Sequence, residues 1–252
     1  MSFTLKSIHN DPDTTRKFIG LLRSKLPCTF RELCLHAHTL CPELKLFCDS
    51  KQQKLVGSDK GSAGKLVEFF LFGRAPNNDA SPDLTLGDIK ATHVKKVGSF
   101  YNAKERLTLT NVGSTAEPAT LQHIVDSAKL QDNKSYAKVQ NGVLAVFERN
   151  KSRPTMEEIF EEQVVALFHY DLESLPVETR TVIDEDYERI GKCVQENAVS
   201  QKGQQYLHIH PHGSKGSKTR AFGFTNKFVT WLICHHSGRP LIKKGRSWMF
   251  SI

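Results

Sequence analysis

DKGSAGKLVEFFLFGRAPNNDASPDLTLGDIK, residues Asp59 to Lys90, is the stretch that decides the reading of this chain. Its first half, Gly61 to Phe72, spaces Leu66, Phe69, Phe70 and Phe72 as a helix facing a core, and Gly73 is placed to end it. Glu68 stands among those apolar residues, where an acid costs stability unless it is paired or binds a cation. Arg74 to Ser81 is a polar loop. Thr85-Leu86-Gly87 then turns the chain, and Asp88 to Thr92 runs as a strand in which residues two apart share a face. Asp88 and Lys90 therefore point together, with Asp83 brought alongside. Two converging carboxylates, with the Ile89 carbonyl between them, suit a hard cation that takes oxygen ligands, Mg2+ first and Mn2+ as its substitute. A lysine beside that ion orients or deprotonates a water and offsets charge on a phosphate under attack.

Pro82-Asp83, a spacer and Asp88-Ile89-Lys90 follow the pattern of the PD-(D/E)XK nucleases. Asp-X-Lys alone is common, and its plain reading is an exposed charged turn. The longer string from Asp59-Lys60-Gly61 through Glu68 and Leu71-Phe72-Gly73 to Pro82-Asp83 resembles the MutH-like enzymes, the mismatch-repair endonuclease and the type II restriction endonucleases related to it. The resemblance assigns Glu68, Asp83, Asp88 and Lys90 to the catalytic centre, with Asp83, Asp88 and Glu68 as metal ligands. It gives Lys60 a DNA-contacting or supporting role. Asp88 stands where most members have Glu, which implies altered metal geometry with activity retained.

Composition is compatible with this. The chain has 252 residues and is 38% hydrophobic, enough for a substantial core. No apolar run approaches a membrane span, and the first twenty residues carry Asp11, Asp13, Arg16 and Lys17 in place of a signal-peptide core. A soluble protein of the cell interior is expected, cytoplasmic or in the DNA-containing compartment of a virus-infected cell. A net charge of +8 suits a polyanionic partner, although many basic proteins bind no nucleic acid.

Six cysteines do not make a disulfide scaffold in a chain of this length. Cys34, Cys41 and Cys48 recur every seven residues, near one face of a helix. Buried free thiols acting as small core hydrophobes are the plain reading, and the competing one is a zinc site of Cys34, His36, His38 and Cys41, which lacks a Cys-X-X-Cys knuckle. Asp13 to Arg23 reads as a helix broken by Pro27. A second helix follows Thr29, because Thr29 and Glu32 form a capping-box pair and Leu33 and Leu35 open an apolar face.

Downstream, His93, Lys95 and Lys96 make a basic run, and alternation up to Thr110 predicts another strand beside the catalytic one. Lys104, Glu105 and Arg106 resemble a Lys-Glu-Arg of the restriction branch, which implies DNA contacts by Lys104 and Arg106; a solvated charge cluster is the alternative. Lys138, ahead of the strand Val143 to Phe147, lies near a DNA-contacting lysine of the family. Asn150 to Pro154 is a polar connector between lobes, Ile159 to Tyr170 is strand-like, and Ile183 to Gln195 is an amphipathic helix.

Alternation over Tyr206 to Gly213 puts His208, His210 and His212 on one face of a strand. Three readings stand: a metal site, a solvated strand, or the strand that enters the DNA groove in MutH-like enzymes. In the last, His210-Pro211-His212 replaces Arg-Pro-Lys, and neutral histidine lacks the bidentate guanidinium contact to guanine. Lys215, Lys218, Arg220 and Lys227 lie in a segment, Lys-Thr-Arg-Ala-Phe at its centre, that resembles the restriction branch and would approach phosphates. Phe228 to Ile233 is a buried helix or strand, and Lys243-Lys244-Gly245-Arg246 adds a basic end.

The resemblance implies an α/β (α+β) protein of restriction-endonuclease-like fold, with a mixed central sheet flanked by helices. One nuclease domain spans 1–252, with a catalytic lobe over about 29–150 and a DNA-reading lobe over about 151–252 gripping DNA in a cleft. The implied function is a Mg2+-dependent, sequence-specific endonuclease of double-stranded DNA leaving 5′-phosphate ends, with GATC or a related short site as target. It would act as a monomer or homodimer, away from membranes, and be paired with a cognate DNA methyltransferase. The alternatives are a repair nicking enzyme activated by a partner, and a non-catalytic DNA-binding protein on a decayed nuclease fold.

Overall fold

The computed structural model describes residues 2–51, 62–75, 81–149, 151, 154–199, 203–245 and 247–251. The chain opens with helices α1 (Leu5–Asn10) and α2 (Pro12–Arg23), a short strand β1 (Cys28–Thr29), and helices α3 (Phe30–Leu40), α4 (Pro42–Lys51) and α5 (Ser62–Phe72). Local chemistry explains their limits. Asp11 accepts the Asp13 amide, and Pro12 sits in the first turn of α2, where no amide hydrogen is needed. Thr29 and Glu32 form the expected capping box on α3. Gly73, at φ 62°, closes α5.

The cysteine repeat does not lie on one helix, because Pro42 ends α3 and opens α4. Cys34, Cys41 and Cys48 are all buried, and Cys48 Sγ lies 3.7 Å from His38 Nε2. Among the described residues no metal-holding group forms, so the zinc reading finds no site. Leu35 faces solvent, whereas Phe30, Leu33, Cys34 and Ala37 make the buried face of α3.

Strands β2 (Asp88–Val97), β3 (Phe100–Ala103) and β4 (Leu107–Ser114) lead to helix α6 (Gln122–Asp126) and strand β5 (Asn141–Glu148). Helix α7 (Met156–Phe160), strand β6 (Gln163–Asp171) and helix α8 (Val177–Gln195) follow. The chain ends with β7 (Leu207–Pro211), β8 (Thr219–Phe224), α9 (Asn226–Ser237) and the hairpin β9 (Ile242–Lys244) and β10 (Ser247–Met249).

The central sheet has the order β1-β6-β5-β2-β3 and is mixed: β2 and β5 run parallel, the other pairs antiparallel. A second, antiparallel sheet has the order β4-β8-β7. The molecule is thus mixed α+β with a mixed central sheet. One face of that sheet, with Val143, Ala145, Phe147 and Leu167, packs on the N-terminal helices. The other, with Leu144, Val146, Phe168 and Tyr170, packs on α8, α9 and the core side of the second sheet, Leu107, Ile209, Phe222 and Phe224 among it. Runs such as VLAVF in β5 are apolar throughout because both faces are covered.

One expectation changes here. The strand from Leu107 is not beside β2; it belongs to the second sheet and pairs with β8, while β5 and β3 flank β2. β5 and β6, on either side of the connector near residue 150, pair along Asn141–Glu148, and β4 shares a sheet with β7 and β8. Among the described residues no helix is long and apolar enough to cross a membrane.

Candidate active site

The site grows from a gap in the sheet. β5 covers β2 from Asp88 to Val94 on one side, but β3 pairs only with Val94–Val97 on the other. The Ile89 amide therefore faces an edge with no ladder partner, and the Asp83 carboxylate fills that role, accepting from Ile89 N at 2.9 Å. Between them the chain closes a tight turn in which the Leu84 and Gly87 amides each bond the other's carbonyl, at 3.1 and 2.9 Å. Only glycine serves at position 87: φ is 102°, and a Cβ would lie 2.2 Å from Asn141 Oδ1 and 2.3 Å from the Asn141 carbonyl oxygen. Helix α5 packs on β2 and carries Glu68 to the same place.

Asp88 is 3% exposed. Lys90 Nζ donates to its Oδ2 at 2.8 Å, and Lys138 Nζ, from a short 3-10 turn at Tyr136–Lys138, stands 3.9 Å from the same oxygen. The other oxygen, Oδ1, is buried and has no hydrogen-bond partner among the described residues. Burial and then the charge of Asp83 push the Glu68 carboxyl up to about 7, against the pull of Lys90. Burial likewise raises Asp83; the Ile89 amide opposes this, and the Asp88 charge adds to it.

Crowded acids of this kind, with one buried oxygen unsatisfied, fit a divalent cation with oxygen ligands. Asp83 and Asp88 are the pair that would hold it, since Mg2+ takes one or two carboxylates and completes its shell with water and substrate oxygens. Among the described residues no three His, Cys, Asp or Glu side chains are gathered closely enough to hold a metal together. Glu68 thus joins the site by its charge, and the expected three-carboxylate ligand set is not formed as the side chains stand.

The chain matches no protein-family model, and no curated protein is recognisably similar to it.

Lys60 lies outside the described residues. Lys138, expected at DNA, is at Asp88. Lys104 is half-buried at the far end of the β2 stretch, its amide on the His93 carbonyl. There Arg149 Nη2 bonds His93 Nε2, and Glu162 lies 3.6 Å from Arg149 and 3.7 Å from His93. Burial, then Arg149 and Lys104, drive His93 down to about 3, and burial lifts Glu162 to about 7 despite Arg149. Sequence reasoning did not single out this buried cluster, whose members are separated in the chain and form no motif.

The histidines do share one face. The His208 and His210 rings stack with centroids 4.7 Å apart, and the His210 and His212 centroids are 6.5 Å apart. They lie over Gly223 of β8, where a Cβ would meet His210 Cε1 at 2.7 Å and His208 Nε2 at 3.1 Å. His210 is buried and its Nε2 is 3.1 Å from Thr108 Oγ1. Burial, with Arg106 nearby, lowers His208 to about 4; burial, His208 and Arg106 lower His210 to about 3, so both rings are neutral at physiological pH. Pro211, His212, Lys215, Lys218 and Arg106 are exposed. Asp186 of α8 holds the start of β7 by accepting the Gln205, Tyr206 and Leu207 amides.

Two of the expected phosphate contacts point elsewhere. Arg220 is buried, and its Nη1 donates to the Ser217 and Thr219 carbonyls, so it braces the loop from within. Lys227 lies over the Tyr206 and Trp248 rings and donates to Gln205 Oε1 at 3.2 Å.

Proposed function

We propose that the protein is a Mg2+-dependent endonuclease of double-stranded DNA, acting at a specific short sequence. The observation that carries this reading is the convergence of Asp83, Asp88 and Lys90 at the unpaired edge of β2, with Asp88 Oδ1 buried and unsatisfied. Bound at Asp83 and Asp88, Mg2+, or Mn2+ in its place, would polarise the scissile phosphate and lower the pKa of a water. Lys90 positions the attacking water, and Lys138 offsets charge gathering on the phosphate. Glu68, its carboxyl pushed up to about 7 by burial and then by the charge of Asp83, adjusts the charge of the site and supports Lys90. Water attacks phosphorus opposite the 3′ oxygen; the P–O3′ bond breaks, the 3′ oxygen takes a proton, and the new end carries a 5′-phosphate.

DNA recognition is proposed on the outer face of the second sheet, where Arg106, His212, Lys215 and Lys218 are exposed around the stacked imidazoles. The MutH-like pattern in the sequence supports a restriction-endonuclease-like fold with two lobes around the DNA, and a type II restriction role. GATC is the first site to test, with monomer or homodimer and a cognate methyltransferase as companions of that role.

Purified protein should cut unmethylated plasmid into discrete fragments with Mg2+, and neither in EDTA nor as Asp83→Ala. Sequenced ends give the site at once. Single-strand nicks only, or cutting only with an added partner, would indicate a repair role. Shifted but uncut DNA across several metals and methylation states would overturn the enzyme reading in favour of a DNA-binding protein.

A further inference from the structure

Asp88, Gly142 and Tyr170 form one row across β2, β5 and β6: Asp88 is the parallel neighbour of Gly142, and Tyr170 its antiparallel neighbour. Residues in register across a sheet project to the same face. Gly142 carries no side chain, and Tyr170 leans into the space this leaves. A Cβ on Gly142 would lie 3.0 Å from Tyr170 Oη, 3.1 Å from its Cε1 and 2.8 Å from the Asp88 carbonyl oxygen. The phenol has thus crossed from its own strand to the one beside Asp88, leaving about one strand spacing, ~4.8 Å, to the Asp88 row.

Tyr170 is completely buried, and among the described residues its hydroxyl has no hydrogen-bond partner. A buried hydroxyl without a partner lowers stability, and phenylalanine would fill nearly the same volume without that cost. The fold alone gives no reason for the oxygen. In the same row, on β2, Asp88 Oδ1 has the matching deficit: among the described residues it is a buried acceptor without a partner, while Oδ2 serves Lys90 and Lys138. Burial, and after it the Asp88 charge, raise the Tyr170 pKa well above its usual value.

We propose that Tyr170 is a positioning residue for Asp88, its hydroxyl donating to the Asp88 carboxylate in the metal-loaded site and fixing the orientation of that ligand. This rests on the nuclease reading above. Donors that orient a ligating carboxylate typically affect metal affinity by 10–100-fold. Gly142 completes the device by leaving the path between the two residues open.

The test compares the full-length protein with Tyr170→Phe, using Mg2+ alone as probe. Thermal unfolding across a Mg2+ series, without DNA, gives the half-saturating concentration, and plasmid cleavage over the same series gives it independently. In EDTA the variant should unfold at the same temperature as the parent or higher. Its half-saturating Mg2+ should rise about tenfold, with the cleavage rate at saturating Mg2+ within about twofold of the parent. An unchanged Mg2+ midpoint, or a lower unfolding temperature in EDTA with the Mg2+ response intact, overturns the proposal and makes the hydroxyl structural. A parent protein that neither responds to Mg2+ nor cleaves overturns the nuclease reading itself, a result separate from any difference between the two chains.

Discussion

The Asp83 carboxylate accepts the Ile89 amide at 2.9 Å across the turn that joins them. That one bond ties the loop acid to the first residues of β2 and sets it beside Asp88, so position and charge at residue 83 are separable. Asp83→Asn keeps an oxygen that accepts the amide and removes the charge. It should fold as the parent does and lose metal-dependent cleavage on the order of a thousandfold, the worth of several kcal/mol of cation stabilisation. Asp83→Ala should lose cleavage equally and in addition about 1 kcal/mol of stability, because the Ile89 amide loses its acceptor. Melting curves and plasmid cleavage on both variants check the distinction.

Glu68 makes stability depend on pH. Its carboxyl ionises at 4.5 when unperturbed and at about 7 in the folded protein. Between those values the folded form holds a proton that the unfolded form has released, so stability falls as pH rises through the window, and the full penalty remains above it. Glu68→Gln removes the ionisation. The variant should exceed the parent by about 1–2 kcal/mol at pH 8, after allowance for the partial exposure of the group, and match it near pH 4. Denaturant unfolding at the two pH values measures it.

Gly87 occupies a conformation and a space that no side chain fits, with φ at 102° and Asn141 at 2.2 Å from a Cβ. Gly87→Ala should cost about 3 kcal/mol or more, through both strain and overlap with backbone. Cleavage should fall along with stability, because the turn delivers Asp88 to the start of β2. Thermal unfolding beside an activity assay reads both.

The basic loop before β8 separates two kinds of cation. Lys215 and Lys218 are exposed, whereas Arg220 is buried on the Ser217 and Thr219 carbonyls. Lys215→Ala and Lys218→Ala should each reduce the dependence of DNA affinity on salt by about one unit of slope, with melting unchanged. Arg220→Ala should instead lower stability by about 2 kcal/mol. Binding titrations at several salt concentrations, set beside melting curves, tell the two apart.

Features encoded within a few residues were legible in the sequence. Thr29 and Glu32 announced the start of α3, Gly73 the end of α5, and the alternation of Asp88 and Lys90 a strand with both side chains together. Each depends on hydrogen bonds or steric limits spanning one turn or one pleat, so local sequence suffices. The heptad of cysteines misled, because the repeat was counted across Pro42, which divides it between two helices.

By itself, then, the sequence determined the strand carrying Asp88 and Lys90, the helix carrying Glu68, the acid at residue 83 and the shared face of three histidines. Which strands lie side by side was decided only by tertiary structure: β5 rather than β4 beside β2, Lys138 delivered to Asp88, Tyr170 laid over Gly142, and Arg220 turned inward. These depend on which apolar faces bury one another among strands distant in the chain. Fully buried strands such as β5 are apolar on both faces, so their sequences carry no periodic mark of which neighbour they will take.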